Sequence, residues 1–110
     1  MAIQLLGGKA RGFALQVPPE SITRPTSVML KRRLFDWRQS WVGLSFVDLC
    51  AGTGNMGLEA LSRGASEVWL NETNRTALKV LEANVAKYRE KIGLEEGQKL
   101  HVSSRPFESI

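Results

Sequence analysis

The fold is decided by the stretch Phe46-Val47-Asp48-Leu49-Cys50-Ala51-Gly52-Thr53-Gly54-Asn55-Met56-Gly57. It runs from apolar strand-forming residues, through an acidic residue, into a glycine-rich turn. A helical pattern follows and stops at Gly64, so the sequence predicts a strand, a glycine loop and a helix. Glycines let a ligand approach main-chain N–H groups, and the first turn of a helix presents unpaired donors. A nucleotide-like ligand is therefore the first hypothesis.

A second strand is predicted over residues 67–71, and it ends at Glu72. In a strand–helix–strand unit with a right-handed crossover, the end of this strand lies beside the glycine turn. An acidic residue roughly 20 positions past the glycines is placed to accept hydrogen bonds from ribose hydroxyls. Glu72 is the predicted ribose ligand, and a solvated loop carboxylate is the alternative.

The remaining downstream pattern predicts one more helix and one more strand. Asn74 is the expected N-cap of a helix over about 75–92, whose apolar residues recur at spacings of three and four. Gly93 or Gly97 ends it, and residues 99–103 alternate as a third strand. His101 falls on the outward phase of that strand, so no catalytic role is expected for it.

Upstream of the glycine loop, the pattern predicts a hairpin and a helix. Residues 3–6 and 13–17 flank a glycine-rich turn, and Pro18-Pro19 ends the second strand. Thr26 is the expected N-cap of a helix over about 27–38. An apolar stripe at helical spacing is expected to face the core: Leu30, Leu34, Trp37 and Trp41.

The net charge of +4 is unevenly placed along the chain. Residues 1–40 hold seven of the fifteen basic residues but only two of the eleven acidic ones. A basic front end suits a polyanion such as nucleic acid. The candidate RNA contacts are Lys9 and Arg11 in the hairpin turn and Lys31 and Arg32 on the helix; a solvated positive face without a partner is the alternative.

The length and composition of the chain limit the classes of protein and site that it can represent. The chain has 110 residues, enough for one modest core, and 43% of them are hydrophobic. No apolar stretch approaches the ~20 residues that span a bilayer, and no signal peptide is recognisable, so a cytoplasmic protein is expected. Cys50 is the only cysteine and His101 the only histidine, so neither an internal disulfide nor a metal site is expected.

The glycines at 52, 54 and 57 also satisfy the G-x-G-x-x-G dinucleotide fingerprint, so an NAD-type oxidoreductase is a second hypothesis. Two features argue against it. Asp48 precedes the first glycine by four residues, where dinucleotide-binding strands usually carry apolar residues alone. In addition, a basic segment precedes the strand, which an enzyme opening on that strand does not need.

The motifs resemble one family over nearly the whole chain, namely the RsmD-type enzymes among the S-adenosylmethionine-dependent methyltransferases. The most specific block is Val47-Asp48-Leu49-Cys50-Ala51-Gly52-Thr53-Gly54, continued by Gly57-Leu58-Glu59-Ala60-Leu61-Ser62-Arg63-Gly64-Ala65. Further matches are Gly8-Lys9-Ala10-Arg11-Gly12, Val17-Pro18-Pro19, Thr23-Arg24-Pro25-Thr26, Leu34-Phe35 and the acidic Glu72. These enzymes methylate guanine N2 of small-subunit (16S) ribosomal RNA.

The resemblance implies an α/β, Rossmann-like class I methyltransferase fold. It is expected to be truncated after the third strand, with residues 1–42 as an RNA-facing hairpin and helix extension and 43–110 as the first β-α-β-α-β half. The implied cofactor is S-adenosylmethionine. Asp48, Ala51, Gly52 and Gly54 would border its methionine moiety, with Thr53 in the same loop, and Glu72 would hold the ribose. Arg24 and Thr26 match a segment that folds over the cofactor or substrate. The implied partner is ribosomal RNA or a partly assembled small subunit.

The sequence departs from the family pattern at several positions. Cys50 stands where Phe is usual, and Asn55 where a small residue is usual. Residues 27–33 lack the acidic residues of the family run, and Asn74 replaces an Asp. Ser103-Ser104-Arg105 stands where an Asp commonly contacts adenine. These changes predict reduced cofactor affinity.

The family's Asp/Asn-Pro-Pro-Tyr/Phe motif does not occur in these 110 residues, so no catalytic residue is assigned. That motif would position the target amine for in-line attack on the methyl group. A fold ending after the third strand leaves residues 44–49 as an apolar edge, which predicts marginal stability or self-association. A non-catalytic RNA- or nucleotide-binding module is a further alternative.

Overall fold

The computed structural model describes residues 3–17 and 25–106, and of residues 25–28 it describes the backbone only. Within these ranges the chain forms five strands and three helices. In chain order they are β1 Ile3–Gln4, β2 Ala14–Leu15, α1 Pro25–Trp37, β3 Ser45–Asp48, α2 Asn55–Ser62, β4 Glu67–Asn71, α3 Arg75–Lys91 and β5 Lys99–Ser103. The predicted order of hairpin, helix and β-α-β-α-β is confirmed.

The three longer strands form a parallel sheet in the order β3-β4-β5. In its register, Val47 lies beside Trp69, and Trp69 lies beside His101. The short strands β1 and β2 pair antiparallel with Ile3 opposite Leu15, which confirms the hairpin. Among the described strands, β3 pairs with β4 alone, so its second edge is open as expected.

The helix ends follow local chemistry. Asn74 caps α3 through its Oδ1, which accepts the Ala77 N–H at 2.9 Å, as predicted. The predicted N-cap at Thr26 is wrong, because α1 begins at Pro25 and Thr26 lies inside it. Proline suits the first turn of a helix, since its fixed φ is helical and its missing N–H would have no helical acceptor there.

The expected core stripe of α1 is only partly correct. Trp41 is buried as predicted, but Leu30 is 63% and Trp37 77% exposed. The face turned inward instead carries Lys31 and Phe35, which are 2% and 0% exposed. The stripe and this inward face are adjacent on the helix, so apolar spacing alone did not identify the buried one.

One face of the sheet carries the core. Val68, Leu70 and Leu100 belong to a single buried cluster with apolar residues of the hairpin and all three helices, and Phe46 packs against it. Gly57 lets α2 lie close to β4, because a Cβ there would overlap Leu70. On the opposite face Val47 is 60% and Trp69 44% exposed, and His101 stacks on Trp69 with ring centroids 4.0 Å apart.

The fully buried carboxylate of Glu59 on α2 binds main-chain groups of the hairpin. Glu59 accepts the N–H groups of Leu6 at 2.8 Å and Gly7 at 3.0 Å. It also forms ion pairs with Lys31 at 3.1 Å and Arg63 at 2.8 Å. Burial raises the pKa of Glu59, but these donors together hold it below its ordinary value.

In the parts of the chain described, no helix has the length and apolar character needed to cross a membrane.

Candidate cofactor site at the end of the parallel sheet

The loop between β3 and α2 folds over the end of β4. The Ala51 N–H donates to the carbonyl of Asn71 at 2.9 Å, and the Gly52 N–H donates to Glu72 Oε1 at 2.7 Å. The Gly54 N–H closes a turn onto the Ala51 carbonyl. The glycine loop is therefore held in place by Asn71 at the end of β4 and by Glu72, which follows it.

Both carboxylates predicted for the site lie at this end of the sheet. Glu72 is half-buried, and its Oε2 accepts the Asn74 N–H at 2.9 Å. Asp48 accepts the Cys50 N–H at 3.1 Å. Burial raises the pKa of Asp48 above its ordinary value, the Cys50 N–H opposes this, and the charge of Glu72 adds to the rise. The two acids thus lie at the carboxyl ends of two paired parallel strands.

Two of the loop glycines have positive φ but different surroundings. Gly52 has a φ of 56°, and a Cβ added there would meet nothing within 4 Å. Gly54 has a φ of 88°, and a Cβ there would lie 2.8 Å from Leu81 Cδ1. Gly52 therefore leaves open space beside the loop, whereas Gly54 is directed towards the core. Gly54 is also the N-cap of α2, and no side chain caps that helix end.

An asparagine that sequence reasoning missed ties the strand ends together. The Asn71 side chain is buried, and its Nδ2 donates to the carbonyls of Leu49 at 3.3 Å and Arg105 at 2.9 Å. Its Oδ1 accepts the Ser103 hydroxyl at 2.8 Å and the Arg105 N–H at 2.9 Å. The one sequence signal was an amide interrupting an apolar strand just before Glu72.

A second missed residue, Asn84 on α3, joins the loop to the hairpin. Its Oδ1 accepts the Gln16 N–H at 2.8 Å, and its Nδ2 donates at 3.0 Å to the carbonyls of both Gln16 and Thr53. The predicted site residue Thr53 is therefore positioned through its main chain. Ala51, the remaining predicted loop residue, is buried.

A concavity of about 280 Å³ opens on the exposed face of the sheet beside Asp48. Its other lining residues come from all three strands and from the residue that follows β3: Val47, Leu49, Trp69, Asn71 and Ser103. Within the described ranges, no group of three or more His, Cys, Asp or Glu side chains is placed to hold a metal ion.

The four basic residues predicted to contact RNA differ in their exposure. Lys9, Arg11 and Arg32 are exposed, and Lys9 pairs with Glu95 at 3.1 Å. The prediction that Lys31 contacts RNA is wrong, because its side chain is buried.

The Lys31 ammonium donates to Asn55 Oδ1 and the Gln4 carbonyl and pairs with Glu59. Burial lowers its pKa, against the raising effect of Glu59. Arg24 lies outside the described residues, and so does the side chain of Thr26.

Comparison with known proteins supports the family resemblance found in the sequence. The family model described as Conserved hypothetical protein 95 matches residues 3–106. The chain is 39% identical over 85 residues to Ribosomal RNA small subunit methyltransferase D of Escherichia coli K12, covering 76% of this chain and 43% of the relative. It is 32% identical over 106 residues to the Haemophilus influenzae protein of that name, covering 96% of this chain and 54% of the relative.

Solved structures agree in fold. "Putative methyltransferase yhhF from Escherichia coli" matches with a TM-score of 0.72 and 32% identity, over 96% of this chain and 54% of its own. A hypothetical protein of Thermus thermophilus matches with a TM-score of 0.73 and 37% identity, over 97% of this chain and 57% of its own. The chain spans about half the length of the two curated relatives named above. The chain therefore belongs to the Conserved hypothetical protein 95 family, the RsmD-type family that its glycine-loop motif resembles.

Proposed function

We propose that this chain supplies the cofactor-binding half of an S-adenosylmethionine-dependent RNA methyltransferase. The observation that carries the proposal is the placement of Asp48, the glycine loop and Glu72 at one end of the parallel sheet. Ligands of open α/β sheets bind at the carboxyl ends of the strands. The names of the curated relatives support an enzyme acting on small-subunit ribosomal RNA. The resemblance supports guanine N2 as the methylated atom, and the substrate implies a cytoplasmic location.

Glu72 fits the role of ribose ligand. Each of its two oxygens accepts one main-chain N–H, and an ionised carboxylate has about four lone-pair positions. Acceptor capacity therefore remains for the ribose hydroxyls. Because those N–H groups fix the carboxylate, the ligand would meet an acceptor that is already oriented.

Asp48 and Gly52 fit the methionine end of the cofactor. A positively charged ammonium group near Asp48 would favour its ionised form, which burial and Glu72 disfavour in the chain alone. The open space beside Gly52 gives a ligand access to the loop backbone. When bound, S-adenosylmethionine supplies an electrophilic methyl group on a positively charged sulfur. The residues of this chain would bind and orient it.

The surroundings of Gly54 favour this proposal over a dinucleotide oxidoreductase. In the dinucleotide fingerprint, the second glycine lets the backbone approach the pyrophosphate. In this loop, the position of a Cβ on Gly54 is filled by Leu81, while the open space lies at Gly52.

The test measures calorimetric titration and thermal unfolding of the chain with S-adenosylhomocysteine and, separately, with NAD. The expected result is binding and thermal stabilisation by S-adenosylhomocysteine alone. Stabilisation by NAD alone would overturn the proposal in favour of an oxidoreductase. Binding of ribosomal RNA with no response to either ligand would indicate a non-catalytic RNA-binding module. Methyl transfer itself should be assayed on the longest product of the reading frame.

A further inference from the structure

The first turn of α2 presents main-chain donors to the end of the sheet where the glycine loop lies. Gly54 is the N-cap of this helix, no side chain caps it, and its first turn contains no acidic residue. Within the described ranges, the N–H groups of Asn55, Met56 and Gly57 have no acceptor, as is usual for a first helical turn. This end of α2 is therefore electropositive and suits a negatively charged group.

Most N–H groups of the glycine loop are already used inside the chain. Four of them donate to acceptors of the chain, namely those of Cys50, Ala51, Gly52 and Gly54. Of the N–H groups of residues 50–57, those of Thr53 and of the first turn of α2 remain for an anionic ligand group. An anion bound at the loop would thus lie closest to the start of α2.

A side-chain amide stands at the same place. Asn55 is the first residue of α2, and its Oδ1 accepts a hydrogen bond from the Lys31 ammonium. An ammonium group has three donors and no acceptor, so this contact determines which end of the amide faces Lys31. The Nδ2 of Asn55 is turned to the other side, where no acceptor among the described residues contacts it. Asn55 is half-buried, so this donor is available to a ligand.

The Lys31 side chain is itself held in place. It is only 3% exposed, and its ammonium also donates to the Gln4 carbonyl at 3.2 Å and pairs with Glu59 at 3.1 Å. Glu59 lies one turn beyond Asn55 on the same helix. The amide of Asn55 is therefore oriented before any ligand arrives, which lowers the entropic cost of using it in binding.

We infer that Asn55 donates through Nδ2 to the carboxylate of the amino-acid end of S-adenosylmethionine, and that Lys31 is the positioning residue that orients it. The inference rests on the proposed function, which places the ammonium group of the same end near Asp48. Because a small residue is usual at position 55 in the family pattern, this contact is a property of this chain. It would offset part of the affinity that the other departures from the pattern are expected to remove.

The test compares two ligands by calorimetric titration of the chain. S-adenosylhomocysteine carries the carboxylate, whereas 5′-methylthioadenosine keeps the adenosine and the sulfur but lacks the amino-acid end. Asn55→Ala should weaken binding of S-adenosylhomocysteine about tenfold and leave binding of 5′-methylthioadenosine unchanged.

Asn55→Asp separates a ligand contact from a structural one. The aspartate keeps an oxygen for Lys31 and adds a negative charge to the first turn of α2, so the thermal unfolding midpoint should not fall. It also replaces the donor with an acceptor that repels the ligand carboxylate. S-adenosylhomocysteine should therefore bind at least as weakly as it does to Asn55→Ala.

The positioning role is tested on Lys31. Lys31→Met should show the same loss, confined to S-adenosylhomocysteine, and Lys31→Arg, which keeps a donor, should restore binding. A residue that only stabilised the fold would change the affinity for both ligands alike.

Binding of S-adenosylhomocysteine to Asn55→Asp with the affinity of the parent, or equal losses for both ligands in Asn55→Ala, would overturn the inference and leave the proposed function standing. A loss in the Asn55 variants without one in Lys31→Met would refute the role of Lys31. If the parent chain binds neither ligand, the proposed function fails and the inference fails with it.

Discussion

Glu72 and Gly52 lie twenty positions apart in the sequence, yet Glu72 Oε1 accepts the Gly52 N–H at 2.7 Å. This bond closes the β-α-β unit at the end where the cofactor is proposed to bind. It makes the acidic residue a support of the loop as well as a candidate ligand. The two roles can be separated, because loop support affects folding and ligand contact affects affinity.

Glu72→Gln should weaken binding of S-adenosylhomocysteine about ten- to a hundredfold. Hydrogen bonds to a charged group contribute about 1.5–3 kcal/mol, and each 1.4 kcal/mol is roughly a factor of ten in affinity. Calorimetric titration measures the change. Glu67→Gln at the opposite end of β4 is the matched control and should bind as the parent does. Equal affinities for the parent and Glu72→Gln would exclude a ligand role for Glu72.

Asp48→Asn should stabilise the chain at neutral pH. The folded state raises the pKa of Asp48, so its ionised form costs stability above the folded pKa, and this cost disappears below the ordinary value of 3.8. Asparagine keeps an oxygen that can accept the Cys50 N–H but carries no charge. Urea unfolding at pH 7 should therefore show a higher midpoint for the variant. Below pH 3.8 the two midpoints should converge, and a constant difference across this range would contradict the explanation.

Glu59→Gln should lower the free energy of unfolding by about 3–5 kcal/mol, because it leaves the buried Lys31 charge without its partner. Glu95→Gln removes only an exposed pair with Lys9 and should cost about 0–1 kcal/mol. Urea titration followed by circular dichroism compares the two variants. The pKa of Glu59 is below its ordinary 4.5, so its contribution to stability is complete above that pH and is lost as the pH falls through the folded pKa. A cost for Glu59→Gln no larger than that for Glu95→Gln would refute the prediction.

The chain alone should self-associate through the open β3 edge. Sedimentation velocity is expected to show a weight-average mass that rises with concentration, because exposed apolar edge strands pair with other chains. Val47→Lys should suppress the rise, whereas His101→Lys should not. A compact monomer at high concentration would refute this expectation.

Arg32→Gln should weaken binding of a small-subunit ribosomal RNA fragment and reduce the salt dependence of the binding constant, with a slope change of about one phosphate contact. Arg11→Gln should act in the same way, since both side chains are exposed. Lys31→Met should leave the salt dependence unchanged because Lys31 is buried. Equal salt slopes for the parent and both arginine variants would show that these residues do not contact RNA.

The sequence alone predicts those structural features that a local pattern determines. The glycine loop, the boundaries of β4 and β5 and the cap at Asn74 follow from short-range rules of turn and helix chemistry. The placement of Glu72 beside Gly52 followed from the handedness of the crossover. None of these depends on knowing which distant residues meet.

The sequence failed where distant elements decide the outcome. The helical spacing predicts Lys31 on an exposed basic face, away from much of the apolar stripe, but Glu59 compensates the burial of Lys31 from another helix. Asn71 and Asn84 bind main-chain groups of other elements. Such contacts leave no periodic signal in the sequence.

The amide side chain of Asn84 contacts both Gln16 at the end of the hairpin and Thr53 in the glycine loop. We therefore expect a change in the loop to affect the hairpin that is proposed to meet RNA, and the reverse also holds. Thermodynamic linkage requires that, if the cofactor changes the affinity for RNA by some factor, RNA changes the affinity for the cofactor by the same factor. Binding of either ligand of the proposed enzyme should consequently change the affinity for the other ligand, and Asn84→Ala should reduce this cooperativity.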